Sequence, residues 1–409
     1  MSANRIVVVG GSLAGGRAAE TLRRAGYAGR IVLVGEEPHR PYDRPPLSKK
    51  FLRGEVPEEK LSLRPLSHYE RLAIELELGV RAKRLDSTAR AVELEDGRRL
   101  DFDQLIIATG AHVRRLACPG ADLEGVHYVR TIEDARGVRE ELRPGRRAVV
   151  IGGGVIGAEV AAACREEGVE VVMIEAAPLP LLRAFGPEVG RIYAEVHRAR
   201  GVDLRCGGGV ARLEGERRVC AVVTTAGERI ECDFVVAGIG VQPAIGWLEG
   251  SGVATDGGVL VDERCETSVR GVYAAGDVAR GWDPRLGRRA CVESIDNAQS
   301  QAVAAANNVA GKETTFAPVP FFWSDQYDLK LQSVGHVTEH DHVVFRGSIE
   351  ERAFVAFHLR GGKLAYAIGV GRLKEIGAAK KLIAADVEVS AEALADESVA
   401  LGDLLPARD

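Results

Sequence analysis

The chain has 409 residues, of which 46% are hydrophobic and 28% charged, and its formal net charge is −5. These values are typical of a globular chain of about two to three domains. The lack of a basic excess argues against a nucleic-acid-binding protein, whose phosphate contacts normally make the chain basic.

The first predicted elements form a dinucleotide-binding unit. An apolar run at residues 6–9 predicts a strand buried on both faces of a parallel sheet. A glycine-rich turn, a helical pattern, a second apolar run at residues 31–34 and the acid Glu36 follow. Such a turn favours a pyrophosphate at the helix N-terminus, and the acid favours a ribose. The residues of this turn that we assign to the cofactor are Gly10, Ser12, Leu13, Ala14 and Gly15.

The same pattern occurs a second time, after the apolar run at residues 148–151. Its turn contributes Gly152, Gly154, Ile156 and Gly157 as candidate cofactor-binding residues, and its second strand ends at the acid Glu175. No arginine directly follows Glu175, and a carboxylate repels a 2′-phosphate, so this copy predicts NADH rather than NADPH. The first copy departs from the pattern at Ser12, where a glycine is usual, and a small serine still permits the approach of a phosphate.

Three further apolar runs end in small residues. They lead into Thr109-Gly110, into residues 238–240 and into Gly276-Asp277, and each is typical of a parallel strand. After a proline and aromatic break at 318–322, the pattern changes to short strands around 330–334, 342–346, 353–357 and 364–370. A helical segment at 372–384 follows. The sequence therefore predicts an α/β protein with two Rossmann-like dinucleotide-binding domains and a C-terminal α+β domain.

The sequence shows no signal-peptide pattern and no run of about 18 apolar residues, so we expect neither export nor membrane insertion. Its 7 cysteines are scattered, with no CxxC pair and no zinc or iron–sulfur spacing. Because unpaired cysteines are typical of a reducing compartment, we expect a cytoplasmic protein without a bound metal ion.

Two segments carry a family resemblance: PYDRPPLSK at residues 41–49 and FWSDQYDLKLQ at residues 322–332. With these motifs the chain resembles, over essentially its whole length, the FAD-containing, NADH-dependent ferredoxin reductases of oxygenase systems, which have a glutathione-reductase-like fold. The resemblance implies an FAD-binding domain in two parts, 1–112 and 237–317. It implies an NAD-binding domain at 113–236 and a C-terminal interface domain at 318–409.

The resemblance also implies cofactor contacts. Non-covalent FAD would contact the first glycine turn through its pyrophosphate, Glu36 through its adenosine ribose, and Arg44 beside the pyrophosphate. The other positions that we assign to cofactor binding are Ala82, Thr109, Gly110, Arg130, Gly276, Asp277 and Ile295. Ile295 is a departure, since relatives often carry valine or tryptophan there. NADH would bind the second glycine turn and Glu175.

The residues expected to act in the reaction are Lys49, Glu159, Pro45 and Trp323. The resemblance implies that Lys49 lies near the reactive edge of the flavin, with Glu159 compensating its charge and Trp323 shielding the ring beside Pro45. Taken alone, Lys49 would be interpreted as a solvated surface residue, Trp323 as a core residue and Glu159 as an acid that complements a helix dipole. Their positions within the family motifs favour the catalytic interpretation.

The predicted function is transfer of a hydride from NADH to FAD and of single electrons to a [2Fe–2S] ferredoxin, which feeds a cytochrome P450 or a Rieske dioxygenase. A disulfide reductase of the same fold would need a cysteine pair near residues 38–50, and a peroxide-reducing oxidase would need one cysteine there. That segment contains none. An alternative of a different class is a flavoprotein resembling apoptosis-inducing factor, which would hold NADH and have a signalling or scaffold role. We expect no nucleic-acid or membrane partner.

Overall fold

The computed structural model describes residues 5–336 and 340–406. The chain divides into two compact units. The first unit comprises Met1–Asp43, Glu59–His112 and Gln242–Phe322, and the second comprises Arg44–Glu58, Val113–Val241 and Trp323–Asp409.

The α-helices are α1 Leu13–Arg24, α2 Leu66–Arg71, α3 Ile132–Glu141, α4 Val155–Glu166, α5 Leu182–Phe185, α6 Pro187–Ala199, α7 Ile295–Val309, α8 Leu373–Ala385 and α9 Ala391–Ala395. Short 3-10 helices lie at Pro45–Ser48, Glu58–Lys60, Gly246–Leu248 and Leu401–Leu404. The strands are β1 Arg5–Val9, β2 Arg30–Gly35, β3 Ile74–Leu78, β4 Ala82–Asp86, β5 Ala91–Leu94, β6 Arg99–Asp101, β7 Gln104–Ile107, β8 Ala111–Val113, β9 Val126–His127, β10 Arg147–Ile151, β11 Glu170–Glu175, β12 Val202–Cys206, β13 Val210–Gly215, β14 Val219–Thr224, β15 Arg229–Glu231, β16 Phe234–Ala237, β17 Val241–Pro243, β18 Val259–Val261, β19 Val272–Ala274, β20 Ala279–Asp283, β21 Arg288–Ala290, β22 Phe321–Gln326, β23 Leu329–Gly335, β24 His342–Ser348, β25 Ala353–Arg360 and β26 Lys363–Val370.

The first unit is built on a five-stranded sheet in the order β19-β7-β1-β2-β3, and all of its pairings are parallel. Alternate residues of β1 belong to two different cores. Ile6 and Val8 pack with residues of α1 and α7, whereas Val7 and Val9 pack with residues of the β4-β5-β6 sheet. Burial on both faces explains why β1 is a continuous apolar run.

The second unit repeats this arrangement in a sheet ordered β12-β11-β10-β16-β9, whose pairings are also parallel. The small β13-β14-β15 sheet shares one core with residues of β10, β11 and β16. In both large sheets the strand before the glycine turn is central, with the acid-bearing strand on one side and a later strand on the other. This is the switch point at which open parallel sheets bind nucleotides.

The C-terminal part of the second unit is a five-stranded sheet in the order β22-β23-β26-β25-β24. Its β23–β26, β26–β25 and β25–β24 pairings are antiparallel. Strand β22 begins at Phe321, inside the segment that the sequence predicted to be a break. The strand can start there because Pro320, which lacks a backbone N–H, lies just before it.

The two dinucleotide-binding folds and the C-terminal α+β sheet confirm the predicted fold class. Among residues 5–336 and 340–406, no helix combines the length and apolarity that a bilayer span requires.

Candidate functional site

The glycine turn of the first unit depends on close backbone packing. A Cβ on Gly10, whose φ is +127°, would lie 2.0 Å from the carbonyl oxygen of Ala108, and a Cβ on Gly15 would lie 1.9 Å from that of Gly10. No side chain fits at these distances, so both positions require glycine for the helix to approach the strand.

The turn of the second unit shows the same constraint. A Cβ on Gly152 would lie 2.4 Å from the carbonyl oxygen of Gly238, and a Cβ on Gly157 would lie 1.9 Å from that of Gly152. A Cβ on Gly154, in contrast, would meet no protein atom within 4 Å. Ser12 occupies the place of Gly154 in the first turn. The fold itself therefore tolerates a side chain there, so protein packing does not require a glycine at this position.

The helices that follow the two turns begin without side-chain caps. Neither α1, after Ser12, nor α4, after Gly154, has a capping side chain or an acid in its first turn. In contrast, α3 begins with a capping box and α7 is capped by Ser294. Uncapped N–H groups at the positive end of a helix dipole are suited to a pyrophosphate. Both turns thus fit the dinucleotides that the sequence predicted.

The two predicted ribose-binding acids lie at the ends of their strands. The Glu175 carboxylate accepts hydrogen bonds from the backbone N–H groups of Gly153 at 2.5 Å and Ala177 at 2.7 Å, which fix it beside the second glycine turn. The side chain of Glu36 is 54% exposed and lies 3.8 Å from the Arg81 guanidinium.

Most of the other predicted FAD positions lie in the first unit. Thr109 donates a hydrogen bond from Oγ1 to the carbonyl oxygen of Ala244 at 3.0 Å. The backbone N–H of Gly276 donates to Gln301 at 2.9 Å, and a Cβ on Gly276 would lie 3.1 Å from the Cβ of Ala14. The turn that contains Gly276 and Asp277 therefore meets the start of α1. Gly110 follows Thr109, Ala82 is the first residue of β4 and Ile295 the first residue of α7.

Two of the predicted FAD positions, Arg44 and Arg130, lie instead in the second unit. The Arg44 guanidinium donates through Nη1 to the carbonyl oxygen of Arg130. The structure thus joins two residues that are distant in sequence.

Lys49 and Glu159 form an ion pair that is largely shielded from solvent. Lys49 Nζ lies 2.8 Å from Glu159 Oε2, and the two side chains are 14% and 2% exposed. The interpretation of Lys49 as a solvated surface residue is therefore wrong. Glu159 lies beyond the first turn of α4, so the ion pair with Lys49, rather than the helix dipole, stabilises its charge. Lys49 also approaches the carbonyl oxygen of Pro45, at 3.4 Å.

Two serines that sequence analysis did not single out complete the surroundings of Glu159. Ser48 donates to Oε2 at 2.5 Å and Ser324 donates to Oε1 at 2.7 Å. Both serines are buried, and both belong to the two family motifs, which is the signal that could have identified them. Trp323 precedes Ser324 in β22 and is half-buried.

All seven cysteines have free thiols. Burial raises the pKa of the Cys164, Cys232 and Cys265 thiols to about 12. Because the thiolate is the nucleophilic form, these three side chains are unreactive at neutral pH. They are packing residues rather than redox partners.

A glycine whose added Cβ would overlap the backbone and a glycine whose added Cβ would meet no protein atom should respond differently to substitution by alanine. Gly157→Ala should cost about 1–3 kcal/mol of unfolding free energy, because its Cβ would overlap the backbone of Gly152. Gly154→Ala is the matched control, and it should change the unfolding free energy by less than about 0.5 kcal/mol while weakening NADH binding. Urea unfolding and NADH titration measure the two effects. Equal destabilisation by both changes would show that backbone packing does not distinguish Gly157 from Gly154.

The sequence and the fold both match known proteins. Residues 4–302 match the family model described as pyridine nucleotide-disulphide oxidoreductase, and residues 321–405 match the model described as reductase C-terminal. The chain is 38% identical to rhodocoxin reductase of Rhodococcus erythropolis, over 96% of this chain and 92% of the relative. It is 37% identical to the biphenyl dioxygenase system ferredoxin–NAD(+) reductase component of Paraburkholderia xenovorans, over 98% of each chain.

Among solved structures, putidaredoxin reductase in its covalent complex with putidaredoxin matches with a TM-score of 0.95 and 36% identity, over 98% of each chain. Sequence, fold and site geometry agree. The chain belongs to the pyridine nucleotide-disulphide oxidoreductase family and, within it, to the NAD-dependent ferredoxin reductases.

Proposed function

We propose that this protein oxidises NADH and passes the electrons, one at a time, to a [2Fe–2S] ferredoxin that supplies an oxygenase. The observation that carries the proposal is a pair of uncapped nucleotide-binding turns in a chain without a cysteine near residues 38–50. Two dinucleotides can bind, and residues 38–50, where a disulfide reductase of this fold would carry its cysteine pair, contain no cysteine. The electrons must therefore leave from the cofactor itself.

The family carries FAD and uses NADH, and the residues present fit both. The first turn, Glu36 and the Gly276-Asp277 segment would hold FAD, and the second turn with Glu175 would hold NADH. FAD, when bound, supplies the conversion of a two-electron donor into a one-electron donor. The chain offers no obvious flavin-attachment motif, so we propose that the cofactor is held without a covalent bond.

The protein's own contribution is charge and orientation. Glu159 is buried, and both of its carboxylate oxygens are satisfied, by Lys49 and Ser48 on one side and Ser324 on the other. This arrangement fixes the Lys49 ammonium in one place. We assign to Lys49 the stabilisation of negative charge as the cofactor is reduced, because a preoriented cation in a dry site acts strongly on developing charge.

The partner is proposed from relatives. One relative is named as part of a biphenyl dioxygenase system, and another was solved in complex with putidaredoxin. Both match over 98% of this chain. A role resembling that of apoptosis-inducing factor is not favoured by these relatives. We also propose a cytoplasmic location, which agrees with the free thiols, and the division into FAD, NAD and C-terminal domains at the boundaries given above.

Electron transfer to a [2Fe–2S] ferredoxin tests the proposal. NADH-reduced protein should reduce an oxygenase-type ferredoxin faster than it reduces dioxygen. The rate should fall at least about 10-fold between ionic strengths of about 0.01 M and about 1 M, because such transient complexes depend on charge steering. Stopped-flow absorbance with a panel of ferredoxins measures this. Rapid turnover of a disulfide or peroxide with no acceleration by any ferredoxin would refute the proposal, and a long-lived NADH complex that reduces none of them would favour the scaffold role.

A further inference from the structure

The ion pair between Lys49 and Glu159 is one end of a longer chain of buried hydrogen bonds in the second unit. Ser324 Oγ donates to Glu159 Oε1 at 2.7 Å, and Gln326 Nε2 donates to Ser324 Oγ at 3.2 Å. The Oε1 atom of Gln326 lies 3.0 Å from His197 Nε2, and His197 Nδ1 lies 3.0 Å from the hydroxyl of Tyr327.

The middle of this chain lies in the protein interior. Ser324, Gln326 and His197 are 0%, 1% and 0% exposed. Ser324 and Gln326 are two residues apart in β22 and so point to the same face of the strand. A buried face of a strand normally carries apolar side chains, because burying polar groups costs free energy unless every group is hydrogen-bonded. Here two successive positions of this face, 324 and 326, carry polar side chains, and these groups are hydrogen-bonded to one another.

The hydrogen bonds of the chain all point the same way. Burial lowers the pKa of His197 to about 4, so the ring is neutral at pH 7 and carries one N–H. Because Gln326 presents its oxygen to His197, the proton is on Nε2, and Nδ1 accepts from the Tyr327 hydroxyl. Ser324 accepts from Gln326 and gives its single proton to Glu159. Aligned hydrogen bonds polarise one another, so each donor strengthens the next.

The opposite orientation of the Gln326 amide would break the alignment. Its oxygen would then face Ser324 and take the hydroxyl proton away from Glu159, and its NH₂ group would require His197 Nε2 to be an acceptor. The orientation in the structure is thus the one that leaves Glu159 with a donor on each oxygen.

The outer end of the chain is held by a special backbone conformation. Tyr327 has a φ of +55°, which is uncommon for a residue with a large side chain. It lies in the tight turn between β22 and β23, and this conformation directs its hydroxyl to His197. The Arg200 guanidinium lies 5.0 Å from the centre of the Tyr327 ring and pairs with Asp328 at 2.6 Å, which anchors the turn.

We propose that Ser324, Gln326 and His197 are positioning residues, which hold Glu159 and, through it, the Lys49 ammonium in the geometry that hydride transfer requires. The inference rests on the proposed function, since it assigns these residues to that reaction. The chain does not conduct protons, because the amide nitrogen of Gln326 does not release one. It acts by restricting where the Glu159 carboxylate, and therefore the lysine, can lie.

Substitution of Ser324 in the flavin-loaded protein tests the inference. A small misplacement of a reacting group costs up to about 10²-fold in rate, and Ser324→Ala removes one of three donors to Glu159. We expect the limiting rate of flavin reduction at saturating NADH to fall about 10-fold, with the half-saturating NADH concentration changed less than about 2-fold. Ser324→Thr keeps the hydroxyl and should restore most of the rate. The matched control is Ser333→Ala, a serine also buried in this sheet, which should leave the rate unchanged.

Graded changes along the chain provide a second test. Losses should decrease with distance from Glu159, in the order Ser324→Ala, Gln326→Met, Tyr327→Phe. In a Lys49→Met background, Ser324→Ala should have almost no further effect on the rate, because the group that it positions is gone. Equal slowing in both backgrounds, or no slowing in the wild-type background, would overturn the inference.

Thermal unfolding of the flavin-loaded variants gives a readout independent of turnover. The shift in melting temperature for Ser324→Ala combined with Glu159→Gln should be smaller than the sum of the two single shifts, since Glu159→Gln weakens the hydrogen bond to the carboxylate that Ser324→Ala removes. Additive shifts would show that Ser324 and Glu159 are not coupled, which would overturn the inference. Failure of the wild-type protein to be reduced by NADH would instead refute the proposed function and would leave the coupling in melting temperature intact.

Discussion

Replacing Lys49 by alanine should slow the reduction of flavin by NADH about 10²-fold, the loss typical of removing one preoriented stabilising group from an active site. The reason is the ion pair with Glu159, which is 2.8 Å long and has side chains only 14% and 2% exposed. The change removes a fixed positive charge and also leaves a buried carboxylate without its counter-ion. Stopped-flow reduction at saturating NADH measures the loss.

A double mutant of Lys49 and Glu159 tests whether the two side chains act together. Removing one partner of a buried ion pair costs about 3–5 kcal/mol, because the other charge is left uncompensated. Lys49→Ala with Glu159→Gln should therefore lose less rate and less stability than the sum of the two single changes. Arg136→Ala is the control, since it breaks an ion pair with Glu58 in which the side chains are 45% and 34% exposed, and pairs at the surface contribute little. Strict additivity of the Lys49 and Glu159 effects would show that the contact has no role in the reaction.

Replacing Glu175 should change which nicotinamide nucleotide is used. We expect the natural protein to prefer NADH over NADPH by about 10²-fold in kcat/KM, since the carboxylate repels a 2′-phosphate and hydrogen-bonds a free 2′-hydroxyl. Its position is fixed by the backbone N–H groups of Gly153 and Ala177. Glu175→Arg should narrow the preference by lowering kcat/KM for NADH and raising it for NADPH. Steady-state kinetics with both nucleotides test this.

Glu175→Gln separates the charge of this side chain from its contacts with the turn. Glutamine can still accept one of the two backbone hydrogen bonds, so the turn should keep its shape, and the repulsion of NADPH is removed. The preference of the Glu175→Gln variant for NADH over NADPH should lie between that of the wild-type protein and that of the Glu175→Arg variant. Equal kcat/KM values for NADH and NADPH in the wild-type protein would exclude Glu175 as the specificity residue.

The parallel cores of both nucleotide-binding folds could be predicted from the sequence, because apolar runs such as residues 6–9 and 148–151 are buried on both faces and the glycine turns follow directly. The β4-β5-β6 and β13-β14-β15 sheets were not predicted. All of their strands are short. In β4 and β13 most residues are exposed or half-buried, so periodicity does not separate these two strands from loops, although β5 and β14 are largely buried. These strands can be identified only from the structure, in which they pack against the faces of the two large sheets.

Only those residues of the candidate site that belong to recognisable family motifs could be predicted from the sequence. Lys49 and Glu159 were assigned through the family resemblance, and the structure supplies the contact between them. Ser48 and Ser324 lie within the two family motifs, but the motifs do not show what these serines contact, because their hydrogen bonds to Glu159 span 111 and 165 positions of sequence. His197 contacts Gln326 across 129 positions. Hydrophobic periodicity reports which face of an element is buried, and it carries no information on which polar side chains meet there.

The buried thiols have a consequence for durability. A flavoprotein reduced in air loses some of its electrons to dioxygen, and the peroxide that forms is released beside the polypeptide. Peroxide oxidises thiolates, whereas protonated thiols react slowly. The raised pKa values of Cys164, Cys232 and Cys265 keep these three thiols in the protonated, slowly reacting form if reoxidation of the reduced cofactor releases peroxide.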